Sequence, residues 1–169
     1  MRRSQSAVQT QTEERKQLAA ALGRVASGVF VLTVRHARAE TGMLASWVQQ
    51  CAFEPPHVSV AIKRTRPIID WLKPVASFIL NVVEREQKNM ISHFGHGFPL
   101  GEPAFDGIQI ERHTDGTPVL ATAHAFLHCI VRNRVSVGEH ELFLAEVVGG
   151  RVLHDGHPMI HVRKSGAHY

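Results

Sequence analysis

Ala123–Val152, AHAFLHCIVRNRVSVGEHELFLAEVVGGRV, holds two long strand segments, Ala123–Val137 and Glu141–Val152, joined by a turn at Gly138. Working outward, four more strands precede this hairpin. Val29–Val34 is a short apolar run of the kind that forms a buried strand. Gly42–Gln50 follows it after a turn at His36–Thr41, so the two can pair as a hairpin. Val58–Ile62 alternates Val58, Val60 and Ile62 with Ser59 and Ala61, and Phe78–Val83 is the fourth. Met159–Arg163 adds a last strand near the end of the chain. Six or more strands with no regular alternation of strand and helix predict a mainly β fold, an antiparallel barrel with a few flanking helices.

The helical segments are few. Residues 1–11 read as a polar tail, and 12–169 as one domain. Thr10 with Glu13 fits a capping box, and Leu18, Ala21, Leu22 and Val25 recur at helical spacing, predicting a helix over Thr12–Ala26. Shorter helices are expected at Arg66–Lys73, capped by Thr65, and at Glu84–Phe94. Glu54-Pro55-Pro56 breaks the chain, because neither proline can donate to a ladder. Gly95–Pro118, rich in glycine and proline, is expected to be a long loop.

Composition narrows the function classes. The chain has 169 residues, 44% hydrophobic and 20% charged, the balance of a globular protein. No apolar run reaches the roughly 18 residues of a membrane helix. The opening MRRSQSAVQTQTEERK lacks the apolar core of a secretory signal. Two cysteines make neither a disulfide framework nor a four-cysteine zinc site, and a reducing cytoplasm is the simplest setting. The net charge of +4 favours anionic partners. There is no long basic stripe interleaved with aromatics, so nucleic acid is not expected. Neither G-x-G-x-x-G after a strand nor G-x-x-x-x-G-K-[ST] occurs, which argues against a dinucleotide-binding fold and a P-loop.

Two stretches carry candidate chemistry. Lys63-Arg64-Thr65-Arg66-Pro67 joins a strand to a helix start, where the local field favours an anion and three cations instead gather. A bound phosphate resolves that conflict; a solvated basic turn is the other reading. In Gly42–Gln50, GMLASWVQQ, the small Ala45 and Ser46 let a ligand approach the backbone and Trp47 offers a flat wall. Gln49 and Gln50 point to opposite strand faces, so at least one is expected to face inward toward a ligand edge. An ordinary strand with a polar edge is the alternative.

These pieces resemble the flavin reductase-like family of FMN-binding split barrels. The matching segments are LGRVASGVFVLT at Leu22–Thr33, GMLAS at Gly42–Ser46, EPP at Glu54–Pro56, VSVAIKRTRP at Val58–Pro67, FILNV at Phe78–Val82 and HVRKSGAHY at His161–Tyr169. The resemblance implies a Greek-key split barrel that forms a homodimer, with FMN near the subunit interface. It implies that Ala45 and Ser46 meet the flavin, with Trp47, Gln49 and Gln50 close by. Lys63, Arg64 and Arg66 then lie at the phosphate end, and Asn81 matches a strand asparagine of the family, with satisfaction of neighbouring backbone as its other reading. His168, in the closing segment, is placed near the flavin, where it could bind nicotinamide or shuttle a proton. The WVQQ variant is similar to flavin reductase-like domains fused to diiron flavoproteins.

The other histidines and the cysteines suggest no site. His124 and His128, an even number apart, are expected on one strand face; His93 and His96 suit a helix end; His154, His157 and His161 share no helix face. No complete metal-ligand set is legible. Cys51 is expected to be a small buried thiol. The expectation is an NAD(P)H-dependent flavin reductase, with FMN as cofactor and NADH or NADPH as transient donor, passing electrons to an acceptor protein or oxygenase. The alternatives are an FMN-binding electron relay without NAD(P)H activity, and a haem or pyridoxal phosphate module on the same barrel.

Overall fold

The structure, a computed structural model, describes residues 2–167. In chain order the elements are α1 (Arg2–Gly23), β1 (Ser27–Gly28), β2 (Phe30–His36), β3 (Ala39–Ala45), β4 (Val48–Phe53) and β5 (Pro56–Lys63). A 3-10 turn (Pro67–Asp70), β6 (Ser77–Val82), α2 (Lys88–Phe94), β7 (Ile110–Arg112) and β8 (Pro118–Leu120) follow, then β9 (Ala125–Val137), β10 (His140–Val152) and β11 (Ile160–His161). They fall into two compact units, residues 28–159 and a smaller one built from the two chain ends.

The larger unit is a seven-stranded sheet in the order β3-β2-β6-β9-β10-β5-β4, antiparallel throughout. Its two outermost strands, β3 and β4, are consecutive in sequence and separated only by Ser46 and Trp47. Two residues span at most about 7 Å, so the sheet must curl until its edges meet there. No ladder joins those edges, so the barrel is split rather than closed.

Alternation along each strand builds the core. Leu32 and Val34 of β2, Phe78 and Leu80 of β6, Val58, Val60 and Ile62 of β5, and Phe143 and Ala145 of β10 fill the interior. Ile68 and Ile69 of the 3-10 turn, and Leu72 after it, pack onto the same cluster. The opposite faces of β2 and β6 are covered too. Val31 packs with Met90 and Phe94 of α2, and Ile79 with Val119 of the β7–β8 hairpin and Phe126. Burial on both faces explains why the Val29–Val34 run shows no polar alternation.

The structure corrects several expectations. The polar stretch from Arg2 is helical, because α1 begins there rather than at Thr12. Leu18, Leu22 and Val25, whose spacing predicted the helix, are 61%, 46% and 63% exposed, and Val25 lies past the helix end at Gly23. Gly42–Gln50 is two strands, broken at Ser46–Trp47 where the sheet edge turns. The helix expected over Arg66–Lys73 is a four-residue 3-10 turn, and Thr65 does not cap it; Arg66 is the N-cap and makes no side-chain cap bond. The Gly95–Pro118 loop contains β7 and leads into β8. In the smaller unit the chain after β11 lies along the end of α1, with Arg163 N–H donating to the Gly23 carbonyl at 3.1 Å.

Candidate functional site

The curl of the sheet decides where the site residues stand. Val48 pairs with Val60 across β4 and β5, and one step earlier the Ala61 N–H donates to the Trp47 carbonyl at 3.0 Å. Ala45, the last residue of β3, and Ser46 after it are both buried beside this junction. On the other side of β5, Lys63 is paired with His140 of β10. The His140 ring lies 4.8 Å from the Trp47 ring, centroid to centroid, in a tilted contact. Ala45, Ser46, Trp47, Lys63 and His140 therefore share one corner of the barrel, the place where β3 stops and β5 runs out. His140 is a neighbour of Trp47 that the sequence reading missed; its position follows from cross-strand register, which no local pattern carries.

The cations divide into three different situations. The Lys63 side chain is exposed and makes no ion pair among the described residues. Arg64 Nε donates to Glu141 Oε1 at 2.9 Å, with its side chain 48% exposed. Glu141 is also bonded by Arg134 Nε at 2.9 Å and by the Ser136 hydroxyl. The hydrogen bonds from Arg134, Ser136 and Arg64 outweigh desolvation and hold the Glu141 carboxyl well below its usual range, at about 2. Its low exposure comes from the guanidinium groups that cover it, themselves at the surface. Arg66 donates to the carbonyls of Gly95, at 2.9 Å, and His96, tying the end of α2 to the start of the 3-10 turn. The sequence reading missed Glu141 as a partner, since its contact with Arg64 spans 77 residues.

The remaining candidates stand elsewhere. Gln49 and Gln50 are both exposed, contrary to the expectation that one faces inward. Their amides donate along their own strand, Gln49 to the Gln50 carbonyl at 3.4 Å and Gln50 to the Ala52 carbonyl at 3.2 Å. The cause is the edge position of β4 and the register shift between Gln50 and Ala52, which breaks simple alternation. The same irregularity leaves Cys51 exposed, not buried; Cys129 is the buried thiol, pushed up to about 12 by desolvation.

Asn81 is fully buried in β6. Its amide nitrogen donates to the Val31 carbonyl at 3.0 Å and to the Thr33 hydroxyl at 3.2 Å, and its oxygen accepts the Leu120 N–H at 2.8 Å. It joins β2, β6 and β8 as a bracket and does not reach the corner. His124 precedes β9, so it does not share a strand face with His128. His168 lies outside the described residues.

Against known proteins, the family model described as "Flavin reductase like domain" matches residues 22–167. Diflavin flavoprotein A 1 of Synechocystis sp. is 33% identical over 151 residues, 88% of this chain. The chain spans only about a quarter of that relative, 26% of its length. Among solved structures, the NADH:FAD oxidoreductase SgcE6 of Streptomyces globisporus superposes with a TM-score of 0.79 at 27% identity, covering 88% of both chains. The same protein in complex with NAD and FAD fragments gives 0.76 at 26% identity, again over 88% of both chains.

Proposed function

Because this chain belongs to the flavin reductase-like domain family, we propose that it moves electrons from NADH or NADPH to an acceptor through FMN. The family and its structural neighbours support a flavin reductase-type oxidoreductase. FMN and a nicotinamide donor are supported by one observation: the Ala61–Trp47 hydrogen bond brings an aromatic side and the exposed Lys63 to the same corner.

The residues present suit a phosphorylated, planar group. Ala45 and Ser46 leave the backbone approachable, Trp47 and His140 form a flat side, and Lys63 with Arg64 supplies cations for a phosphate. Gln49 and Gln50 reach the same group only from the exposed strand. Arg66 and Asn81 support the frame by holding α2 and β8. His168 is assigned to the nicotinamide side. Bound flavin would supply the two-electron chemistry, while the protein orients the ring and shields it. The exposed Leu18 and Leu22 of α1, with Val25 just after it, support a homodimer. Among the described residues no helix is long and apolar enough to cross a membrane; together with the two unpaired cysteines this supports a cytoplasmic setting.

The test is direct. Purified protein with FMN should consume NADH or NADPH, followed at 340 nm. FMN should bind more than about tenfold tighter than riboflavin, since a charged hydrogen bond contributes roughly 1.5–3 kcal/mol. Lys63→Ala should remove most of that preference and leave riboflavin binding unchanged. Bound flavin without nicotinamide oxidation would favour an electron relay, the reading suggested by likeness to one segment of a diflavin flavoprotein. A Soret band in place of flavin absorbance would overturn the assignment in favour of haem.

A further inference from the structure

A second group of polar side chains gathers within residues 28–159, on the face of β6 and β9 that lies under the β7–β8 hairpin. Ser77 begins β6 and His128 lies in β9, where Ser77 pairs with Ile130 and Ile79 with His128. The turn between β7 and β8 carries His113 and Asp115 over them. His113 Nδ1 is 3.1 Å from Asp115 Oδ1, and His128 Nε2 is 3.5 Å from Asp115 Oδ2. The two imidazole rings are 4.2 Å apart, and the three ligand atoms all lie within 4.8 Å of one another.

We propose that His113, Asp115 and His128 bind one divalent first-row transition metal ion, with Zn2+ as its probe, and that the ion clamps the β7–β8 turn to the sheet. The donor set is two imidazoles and a carboxylate, the borderline nitrogen and oxygen ligands that such ions take. Bonds of about 2.0–2.1 Å in a tetrahedron put neighbouring ligand atoms about 3.3 Å apart. Each imidazole nitrogen stands about one such edge from a carboxylate oxygen, His113 Nδ1 3.1 Å from Oδ1 and His128 Nε2 3.5 Å from Oδ2. Any wider separation, within the 4.8 Å of the cluster, closes as the ion binds. The carboxylate is already oriented by the Thr117 N–H on Oδ1 at 2.9 Å and the Ser77 hydroxyl on Oδ2 at 2.7 Å. Groups of this kind orient ligands from outside the coordination sphere.

Ser77 Oγ also lies 2.8 Å from His128 Nε2. Its single proton can go to Asp115, so an ion taking the His128 lone pair leaves that bond intact. Three protein ligands leave a position for water, and Asp115, with its side chain 33% exposed, opens the cluster to solvent. Arg35 approaches this turn through the Asp115 carbonyl, at 3.4 Å, rather than through the carboxylate. Other histidines are engaged differently: His93 and His154 each bond a backbone carbonyl.

The test is a titration of the full chain, freed of metal by a chelator, with ZnCl2 in a calorimeter. One ion per chain is expected, with Kd below about 1 μM and a melting temperature that rises with zinc. His113→Ala, His128→Ala and Asp115→Asn should each weaken binding by at least the roughly 10–100-fold that loss of an outer partner alone costs. His154→Ala should not change it. Should a variant fail to fold, the histidine ring resonances of the wild-type chain decide, since zinc must shift those of both His113 and His128. Failure to bind zinc at 100 μM, wild-type affinity in all three variants, or unmoved ring resonances overturns the proposal. None of these readouts involves flavin.

Discussion

Replacing Asn81 separates a frame residue from a ligand contact. In Asn81→Ala the Leu120 N–H, on a residue 1% exposed, loses its acceptor, and the Val31 carbonyl and Thr33 hydroxyl each lose a donor. An orphaned buried amide costs about 1–3 kcal/mol, and the two other bonds about 0.5–1.5 kcal/mol each. The expected loss is about 2–6 kcal/mol, before any cavity left by the missing amide. For a chain of this size 1 kcal/mol moves the melting temperature by roughly 2–4 °C, so a fall of about 4–24 °C is expected. Urea unfolding of the flavin-free protein, followed by fluorescence, gives the free energy directly. FMN affinity, measured where the variant is fully folded, should stay within about threefold of wild type, because Asn81 is not at the Trp47 corner. A stable variant that has lost FMN would refute the bracket and make Asn81 a cofactor ligand.

Three further outcomes are expected. Glu141, held at about 2 by Arg134, Ser136 and Arg64, has a folded pKa below its unfolded value of about 4.3. Its contribution is therefore complete above about pH 4.3 and is lost as pH falls toward 2; Glu141→Gln should flatten the melting temperature against pH across that window. Arg66→Ala frees the Gly95 and His96 carbonyls, so limited proteolysis should cut the loop after α2 faster while bulk secondary structure by circular dichroism is unchanged. Gly150→Ala should destabilise by more than about 2 kcal/mol in thermal or urea melts, because φ is +153° and an added Cβ would sit 2.5 Å from the Phe126 carbonyl oxygen.

The strands were legible where one local pattern sufficed. Val58, Val60 and Ile62 alternate and are all buried, and the long hairpin around Gly138 forms β9 and β10. The family segments, too, stand in an order that the fold bears out. The break at Ser46–Trp47 was not legible, since it comes from curling a seven-stranded sheet and not from any turn residue. Helix α1 was legible only in part: Leu18, Leu22 and Val25 have helical spacing, but the helix ends at Gly23, and periodicity says only that a face is apolar, not what covers it. The His113–Asp115–His128 cluster was invisible because His128 and the β7–β8 turn meet only through the pairing of β6 with β9 and the fold-back of the hairpin.

The basic segment shows why charge in sequence underdetermines a binding site. Three cations near a helix start call for an anion when the helix is long and no acid is near. Here the helix is a four-residue 3-10 turn, with too little aligned backbone to repel them. Arg64 finds its anion within the chain, in Glu141, and Arg66 finds two carbonyl oxygens at the end of α2. What the segment leaves uncommitted is Lys63, and in part the exposed half of Arg64. A phosphate at this corner must therefore share Arg64 with Glu141 or rely on Lys63. Removing Arg64 and Arg66 together would mix three effects: a lost phosphate contact, a disturbed Glu141 network and a loosened α2. Lys63 is the one cation of the three whose loss changes the charge at the corner without changing the frame that holds it.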